Sequence, residues 1–250
     1  MYCLAVDSGN SFLKWAIFEN DQKLMSSQVG NHELYKLHDV WQKLRTPDTI
    51  IISQVSGADM TARLKQHFKI WNTQPYWISA VSKQCGVTNN YANPRQLGSD
   101  RWAALIAAWD KFHEACIVID VGTAMTVDVL SSNGVFMGGI IIPGPYSLQK
   151  SIQCTTPINL SEEIHQYRIF PVNTADAIYS GIIQALVGSI ERMLRLYKYH
   201  QGSVIKHCLI SGGGLSELLP HIDFDVIVID NLVVEGLLRI AKDLQLNQKM

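Results

Sequence analysis

The segment Leu4 to Phe18 reads LAVDSGNSFLKWAIF: an apolar run, Asp7, one small residue, Gly9, two polar residues, then a second apolar and aromatic run. A short unbroken apolar run closed by an Asp and a Gly has the pattern of a buried strand and its turn, and the run after it has the pattern of a strand paired back on the first. The pattern recurs 113 positions later in VIDVGTAMTVDVL, Val118 to Leu130, where Asp120 matches Asp7, Gly122 matches Gly9 and Thr123 matches Asn10. Repetition of one motif at this distance predicts two halves built alike. Asp7 and Asp120 as simple turn formers is the plainer reading of each motif taken alone.

Between and after the hairpins the apolar spacing turns helical. Leu34, Leu37, Trp41 and Leu44 share one helical face, and Trp102, Leu105, Ile106 and Trp109 share another. Short β-rich runs stand at Thr49 to Ser53 and Tyr76 to Ser79. In the second half, Gly134 to Pro143 reads as a strand ending in Pro143-Gly144-Pro145, and Thr174 reads as the N-cap of a long helix carrying Ile178, Ile182, Ala185, Ile190, Met193 and Tyr197. Strand Val204 to Ile210, the turn Ser211-Gly212-Gly213-Gly214, strand Val226 to Ile229 and helix Val233 to Leu244 follow. The class is α/β, with a boundary near residue 113 and the last helix returning to the first half.

Composition narrows the function. The 250 residues carry 21 Lys+Arg against 22 Asp+Glu, a formal charge of −1, with no basic excess of the kind that nucleic-acid affinity draws on, so no nucleic-acid partner is expected. Hydrophobic residues make up 47% and charged ones 17%, below the usual quarter, so a large core is available. The longest apolar runs, such as Ala103 to Trp109, are far short of a membrane span, and Met1 to Val6 is too short for a secretory leader. Cys3, Cys85, Cys116, Cys154 and Cys208 form no CxxC pair, and none of the 8 histidines has zinc spacing. These features point to a cytoplasmic protein with reduced thiols.

Two glycine turns, each after a buried strand and each carrying an Asp, can offer backbone N–H groups to phosphate and carboxylates to a cation. With a later Gly-rich turn, SGGGLSELL, they form the constellation of the actin, Hsp70 and sugar kinase class: two similar actin-like (ribonuclease H-like) domains with a nucleotide cleft between them. No GxxxxGK[ST] segment is present, which argues against a P-loop.

Four segments in order, DSGNSFLK (Asp7 to Lys14), LGSDRWAALIAA (Leu97 to Ala108), DVGTAMTVD (Asp120 to Asp128) and GGIIIPG (Gly138 to Gly144), closely resemble the type III pantothenate kinases over nearly the whole chain. Ser11 stands where that family most often has Thr, a change that keeps the hydroxyl. The resemblance implies ATP-dependent phosphorylation of pantothenate to 4′-phosphopantothenate, the first step of coenzyme A biosynthesis. It implies ATP contacts at Asp7, Ser8, Gly9, Asn10, Ser11, Phe12, Leu13, Lys14 and Thr123, and an adenosine contact at the 211–214 turn. It implies a pantothenate site at Tyr91, Gly98, Ser99, Asp100 and Arg101, with Asp100 as general base. ATP would come with Mg²⁺, Asp120 would hold a monovalent cation (K⁺ or NH₄⁺), and Thr174 would reach the pantothenate pocket of a neighbouring subunit in a homodimer. On this reading residues 1–113 carry the first phosphate motif and the substrate motif. Residues 114–250 carry the second phosphate motif, the dimer helix and the adenosine turn.

Other readings stand beside these. Ser99 and Asp100 can be plain helix-capping residues, Tyr91 a surface aromatic in a loop, Thr174 a cap only, and Ser211 to Gly214 a connecting turn. Arg101 is suited to a planar carboxylate and would also favour ionised Asp100. At the level of function, a kinase of the same fold acting on another small alcohol, or a non-catalytic accessory protein of transcription, are the alternatives.

Overall fold

The computed structural model describes residues 1–155 and 166–248. The chain divides into two compact units. One comprises Met1–His113, Leu130–Met137 and Asn231–Met250, the other Glu114–Val129 and Gly138–Asp230.

The first unit is built on a five-stranded sheet. In chain order its strands are β1 (Tyr2–Ser8), β2 (Phe12–Glu19), β3 (Gln22–Gly30), then, after helix α1 (Tyr35–Trp41), β4 (Thr49–Gln54), and, after α2 (Ala58–His67), β5 (Pro75–Trp77). They lie side by side as β3-β2-β1-β4-β5. All seven residues of β1 are buried, which explains why it reads as an unbroken apolar run. The β1–β2 hairpin sets Asp7 opposite Lys14, and the parallel pairing of β1 with β4 sets Asp7 opposite Ser53. One face is filled by Leu4, Val6, Trp15, Leu37, Trp41 and Phe68, with the rings of Trp41 and Phe68 stacked 5.4 Å apart. This is the contribution of Leu34, Leu37 and Trp41, the stripe read from the sequence; Leu44 packs at its margin.

A short hairpin, β6 (Lys83–Gln84) and β7 (Val87–Asn89), precedes helix α3 (Ser99–Phe112). The last helix, α7 (Leu232–Gln248), packs on α3 and on β1, β2 and β4. The two helices approach so closely that a Cβ on Gly236 would overlap the carbonyl of Ala103. Two ion pairs, Lys111 to Glu235 at 2.9 Å and Arg239 to Asp110 at 2.9 Å, border this contact. Val135 and Phe136 pair in parallel with Thr88 and Asn89 of β7.

The second unit contains β8 (Cys116–Val121), β9 (Ala124–Leu130), β10 (Val135–Pro143), helix α4 (Pro145–Thr155), helix α5 (Thr174–Gln201), β11 (His207–Ser211), the single turn α6 (Leu215–Leu218) and β12 (Ile227–Val228), some of whose end residues pass into the first unit. The strand order is β12-β11-β8-β9-β10. β11 runs parallel to β8 and sets Ser211 opposite Asp120. The core is formed by Ile117, Ile119, Val127, Ile183, Leu186, Ile190 and Ile210.

Helix α5 corrects two sequence expectations. Its N-cap is Asn173, whose side chain accepts from the N–H of Asp176 at 2.8 Å; Thr174 is the first helical residue and is exposed. Ala185 is exposed as well, because the buried stripe runs through Ile182, Ile183, Leu186 and Ile190. At the other end Gly202 adopts the left-handed conformation (φ 67°) and returns its N–H to the carbonyl of Lys198. Among the described residues no helix is long and apolar enough to cross a membrane.

Candidate active site

In the first unit the repeated motif forms a tight turn at the carboxyl end of β1. Gly9 N–H donates to the Phe12 carbonyl at 3.1 Å, closing the turn. Asp7 is 9% exposed at the strand end, and Ser8 is buried with its hydroxyl 3.1 Å from that of Ser56. Asn10, Ser11 and Phe12 are exposed, and Lys14 is half-buried. Leu13 is fully buried in the sheet core, so any ligand contact from it would be made by its backbone.

The substrate motif opens α3. Gly98 is the N-cap, its carbonyl accepting the first helical bond from Trp102 N–H at 3.0 Å; it has no side chain to cap with, and Asp100 Oδ1 instead accepts from the first-turn N–H of Arg101. The capping reading of Ser99 therefore fails. Its buried hydroxyl lies 2.9 Å from that of Ser53, at the carboxyl end of β4, where the strand pairing also places Asp7. Two motifs separated by about ninety residues are thus tied together through β4, a link with no signal in the sequence.

Asp100 is largely enclosed, and burial pushes its carboxyl above the ordinary carboxylate range. The Arg101 N–H, 2.7 Å from Asp100 Oδ1, and the Arg101 charge oppose the shift without cancelling it. Arg101 thus favours the ionised form, as expected, while burial sets the direction of the net shift. The Arg101 side chain, 7% exposed, donates from Nη1 to the Tyr91 hydroxyl at 3.3 Å, with its guanidinium carbon 5.8 Å from the Phe136 ring. Tyr91 is positioned by Asn89, whose Oδ1 accepts from Tyr91 N–H at 3.1 Å while its amide donates to the Pro94 carbonyl at 3.1 Å. Tyr91 is therefore no isolated surface aromatic: its ring lies 5.3 Å from that of Phe136.

In the second unit three glycine-bearing segments converge. Thr123, exposed at the turn after β8, accepts at its carbonyl from Gly144 N–H at 2.9 Å and from the Ser147 hydroxyl at 2.6 Å. A Cβ on Gly144 would overlap the Gly122 carbonyl, so only glycine allows this approach. Gly212 has φ +111°, a region open to glycine, and the turn that follows sends Gly214 N–H to the Val121 carbonyl at 2.9 Å. The second phosphate motif, the Pro143-Gly144-Pro145 turn and the 211–214 turn are thus one structure, so the last of these is more than a connection. Asp120 is half-buried beside Gly122 and opposite Ser211. Thr174 stands exposed at the start of α5 in the same unit. No cluster of three or more His, Cys, Asp or Glu side chains able to hold a metal occurs among the described residues.

The mixed α/β architecture, with its strand-turn motifs at the ends of two sheets, is the fold of the actin and sugar kinase class. The fold is shared with the activator of the 2-hydroxyisocaproyl-CoA dehydratase from Clostridium difficile with bound ADPNP (TM-score 0.57, 12% identity, covering 100% of this chain and 98% of that one). It is also shared with a Campylobacter jejuni protein named for the Baf family of transcriptional activators (TM-score 0.59, 21% identity, 99% and 100% coverage). A family profile described as type III pantothenate kinase matches residues 3–196. The type III pantothenate kinase of Nitrosomonas eutropha is 44% identical over 243 residues, 96% of this chain and 95% of that protein. That of Nitrosospira multiformis is 44% identical over 240 residues, 96% and 91% respectively. The chain belongs to the type III pantothenate kinase family.

Proposed function

We infer that this chain transfers the γ-phosphoryl group of ATP to the primary hydroxyl of pantothenate, giving 4′-phosphopantothenate for coenzyme A biosynthesis. Family membership carries the reaction; the hydroxyl contact of Ser53 with Ser99 supports the assignment of residues, because it ties the phosphate motif and the substrate motif into one site.

Phosphoryl transfer depends mainly on positioning and on stabilising spread negative charge. Asp7 to Lys14 bind the ATP phosphates, chiefly through turn N–H groups, with Lys14 adding positive charge. Thr123 is the further ATP contact, and the 211–214 turn the adenosine contact. Mg²⁺ bound with ATP would neutralise charge on the phosphate oxygens. Tyr91, Gly98, Ser99 and Arg101 hold pantothenate, with Arg101 directed to its carboxylate. Asp100 accepts the proton of the attacking hydroxyl.

Asp120, a half-buried carboxylate opposite Ser211 at the end of β8, is our candidate for holding K⁺ or NH₄⁺. Thr174, exposed on α5, is the candidate contact to the pantothenate pocket of a second subunit, which makes the working form a homodimer. We place the protein in the cytoplasm. The test is formation of 4′-phosphopantothenate from ATP and pantothenate by the purified chain, with and without K⁺, together with its mass in solution. Absence of product under both conditions, or turnover of other alcohols in preference to pantothenate, would overturn the reading. A salt-sensitive DNA complex would point instead to a role in transcription.

A further inference from the structure

Asn31, the residue after β3, belongs to none of the sequence motifs, yet it is bonded to three successive residues of the phosphate turn. Its side-chain Nδ2 donates to the carbonyl of Gly9 at 2.9 Å and to that of Asn10 at 2.8 Å. Its backbone N–H donates to the carbonyl of Ser11 at 3.0 Å. Three successive turn carbonyls thus face one residue. Carbonyl oxygens only accept, so two such contacts fix which end of the amide is nitrogen. The other end, Oδ1, is buried with no hydrogen-bond partner. A buried orphan acceptor is unfavourable, so this side chain is not placed to satisfy itself. The carbonyl of Asn31 is in turn held by Arg63 Nη2 of α2 at 2.9 Å.

Peptide geometry converts this clamp into a functional statement. No peptide bond among the described residues is cis, and in a trans peptide the N–H points opposite to the carbonyl of the same peptide. With the carbonyl of Gly9 turned towards Asn31, the N–H of Asn10, in the same peptide, is turned to the opposite side, where Asn10 is exposed. A turn N–H held in this way on the exposed side is placed to donate to an anion.

We propose that Asn31 is a positioning residue for the ATP phosphates: it holds the 9–11 carbonyls away so that the turn presents the N–H of Asn10 to phosphate. The proposal rests on the reading that the 7–14 turn binds ATP. Substitution by Asp would keep the shape, remove both donors and set a negative charge against two carbonyls; Ala would remove the clamp outright.

The experiment uses the full chain and compares a non-hydrolysable ATP analogue, AMP-PNP with Mg²⁺, against adenosine, by calorimetry, with KM for both substrates. Asn31→Asp and Asn31→Ala are expected to weaken AMP-PNP about tenfold or more, leave adenosine within about twofold, and raise KM for ATP but not for pantothenate, because only the phosphates meet this turn. Arg63→Ala, a surface change two steps from the ligand, is expected to move AMP-PNP in the same direction by about two- to threefold, and it decides the matter if the Asn31 variants do not fold. Unaltered AMP-PNP affinity, or equal losses for AMP-PNP and adenosine, would overturn the proposal. Wild-type protein that binds AMP-PNP no more tightly than adenosine would overturn the phosphate reading itself, and the role of Asn31 with it.

Discussion

The hydroxyls of Ser53 and Ser99 meet at 2.9 Å in a buried position, one at the end of the strand beside the phosphate turn, the other in the first turn of the substrate helix. Removing one partner leaves the other hydroxyl buried without its bond, a change that costs about 1–3 kcal/mol. Ser53→Ala and Ser99→Ala are each expected to melt several degrees below wild type. The double variant should lose less than the sum, since both single changes break the same contact. Calorimetric melting of the three variants checks this, and additive losses would show that the contact is not shared.

Asp100→Asn separates chemistry from stability. Loss of a general base is expected to lower kcat by about 10²–10⁴-fold with little change in KM for ATP. Stability should move the other way. An acid whose folded-state pKa is raised binds more protons folded than unfolded, so its contribution is fully present below the usual carboxylate pKa of about 4 and is lost as pH rises through the folded value. Near pH 7 the Asn variant should therefore melt at or above the wild-type temperature, with that advantage vanishing in acid. The acidic limb of wild-type kcat/KM should correspondingly lie above the ordinary carboxylate range. Paired pH profiles of melting and of turnover provide the measurement.

Gly236→Ala is expected to destabilise, although alanine is ordinarily the better helix former by about 1 kcal/mol. The added methyl would meet the Ala103 carbonyl across the α3–α7 contact, and overpacking of this kind costs about 1–3 kcal/mol. Gly181→Ala, where nothing lies within 4 Å of the new methyl, should instead gain about 0.5–1 kcal/mol. Denaturant titration of the two variants should give shifts of opposite sign.

Four thiols should be slow to react. Burial pushes Cys3, Cys85, Cys116 and Cys208 up to about 12, which leaves almost no thiolate at neutral pH, whereas Cys154 is exposed. An alkylating reagent on the native protein should label Cys154 first, and all five only after unfolding. Mass spectrometry of the labelled peptides will show the order.

The readable part of the fold came from runs whose burial is complete. β1 is buried on both faces, so its residues up to Val6 are all apolar or aromatic, and Asp7 and Ser8 at its end lead into the turn at Gly9. α3 was legible for a similar reason: Trp102, Leu105 and Ile106 recur at helical spacing and are all buried. Where few residues are fully buried or the element is very short, it went unread. α4 buries only Pro145 fully, β3 is exposed along most of its length, and the β6–β7 hairpin is five residues of strand. In the site, motif residues were visible because their types and order are distinctive. Their supports were not, since an isolated Ser53 or Asn31 acquires its role only from strand pairing that brings distant chain segments to the end of β1. The cap of α5 was misplaced by one residue because Asn173 and Thr174 are both good capping types, and only the bond to Asp176 N–H distinguishes them.

The backbone passes between the two units four times, at residues 113/114, 129/130, 137/138 and 230/231. Neither unit is therefore a portable module. A stop codon anywhere before Asn231 removes α7 from the unit that carries the phosphate turn, and a cut at 113 also takes Phe136 from beside Tyr91 and Arg101. Genetic exchange between relatives must move both units together to leave a working enzyme. The same weave makes split reporters and half-length expression poor strategies for this chain.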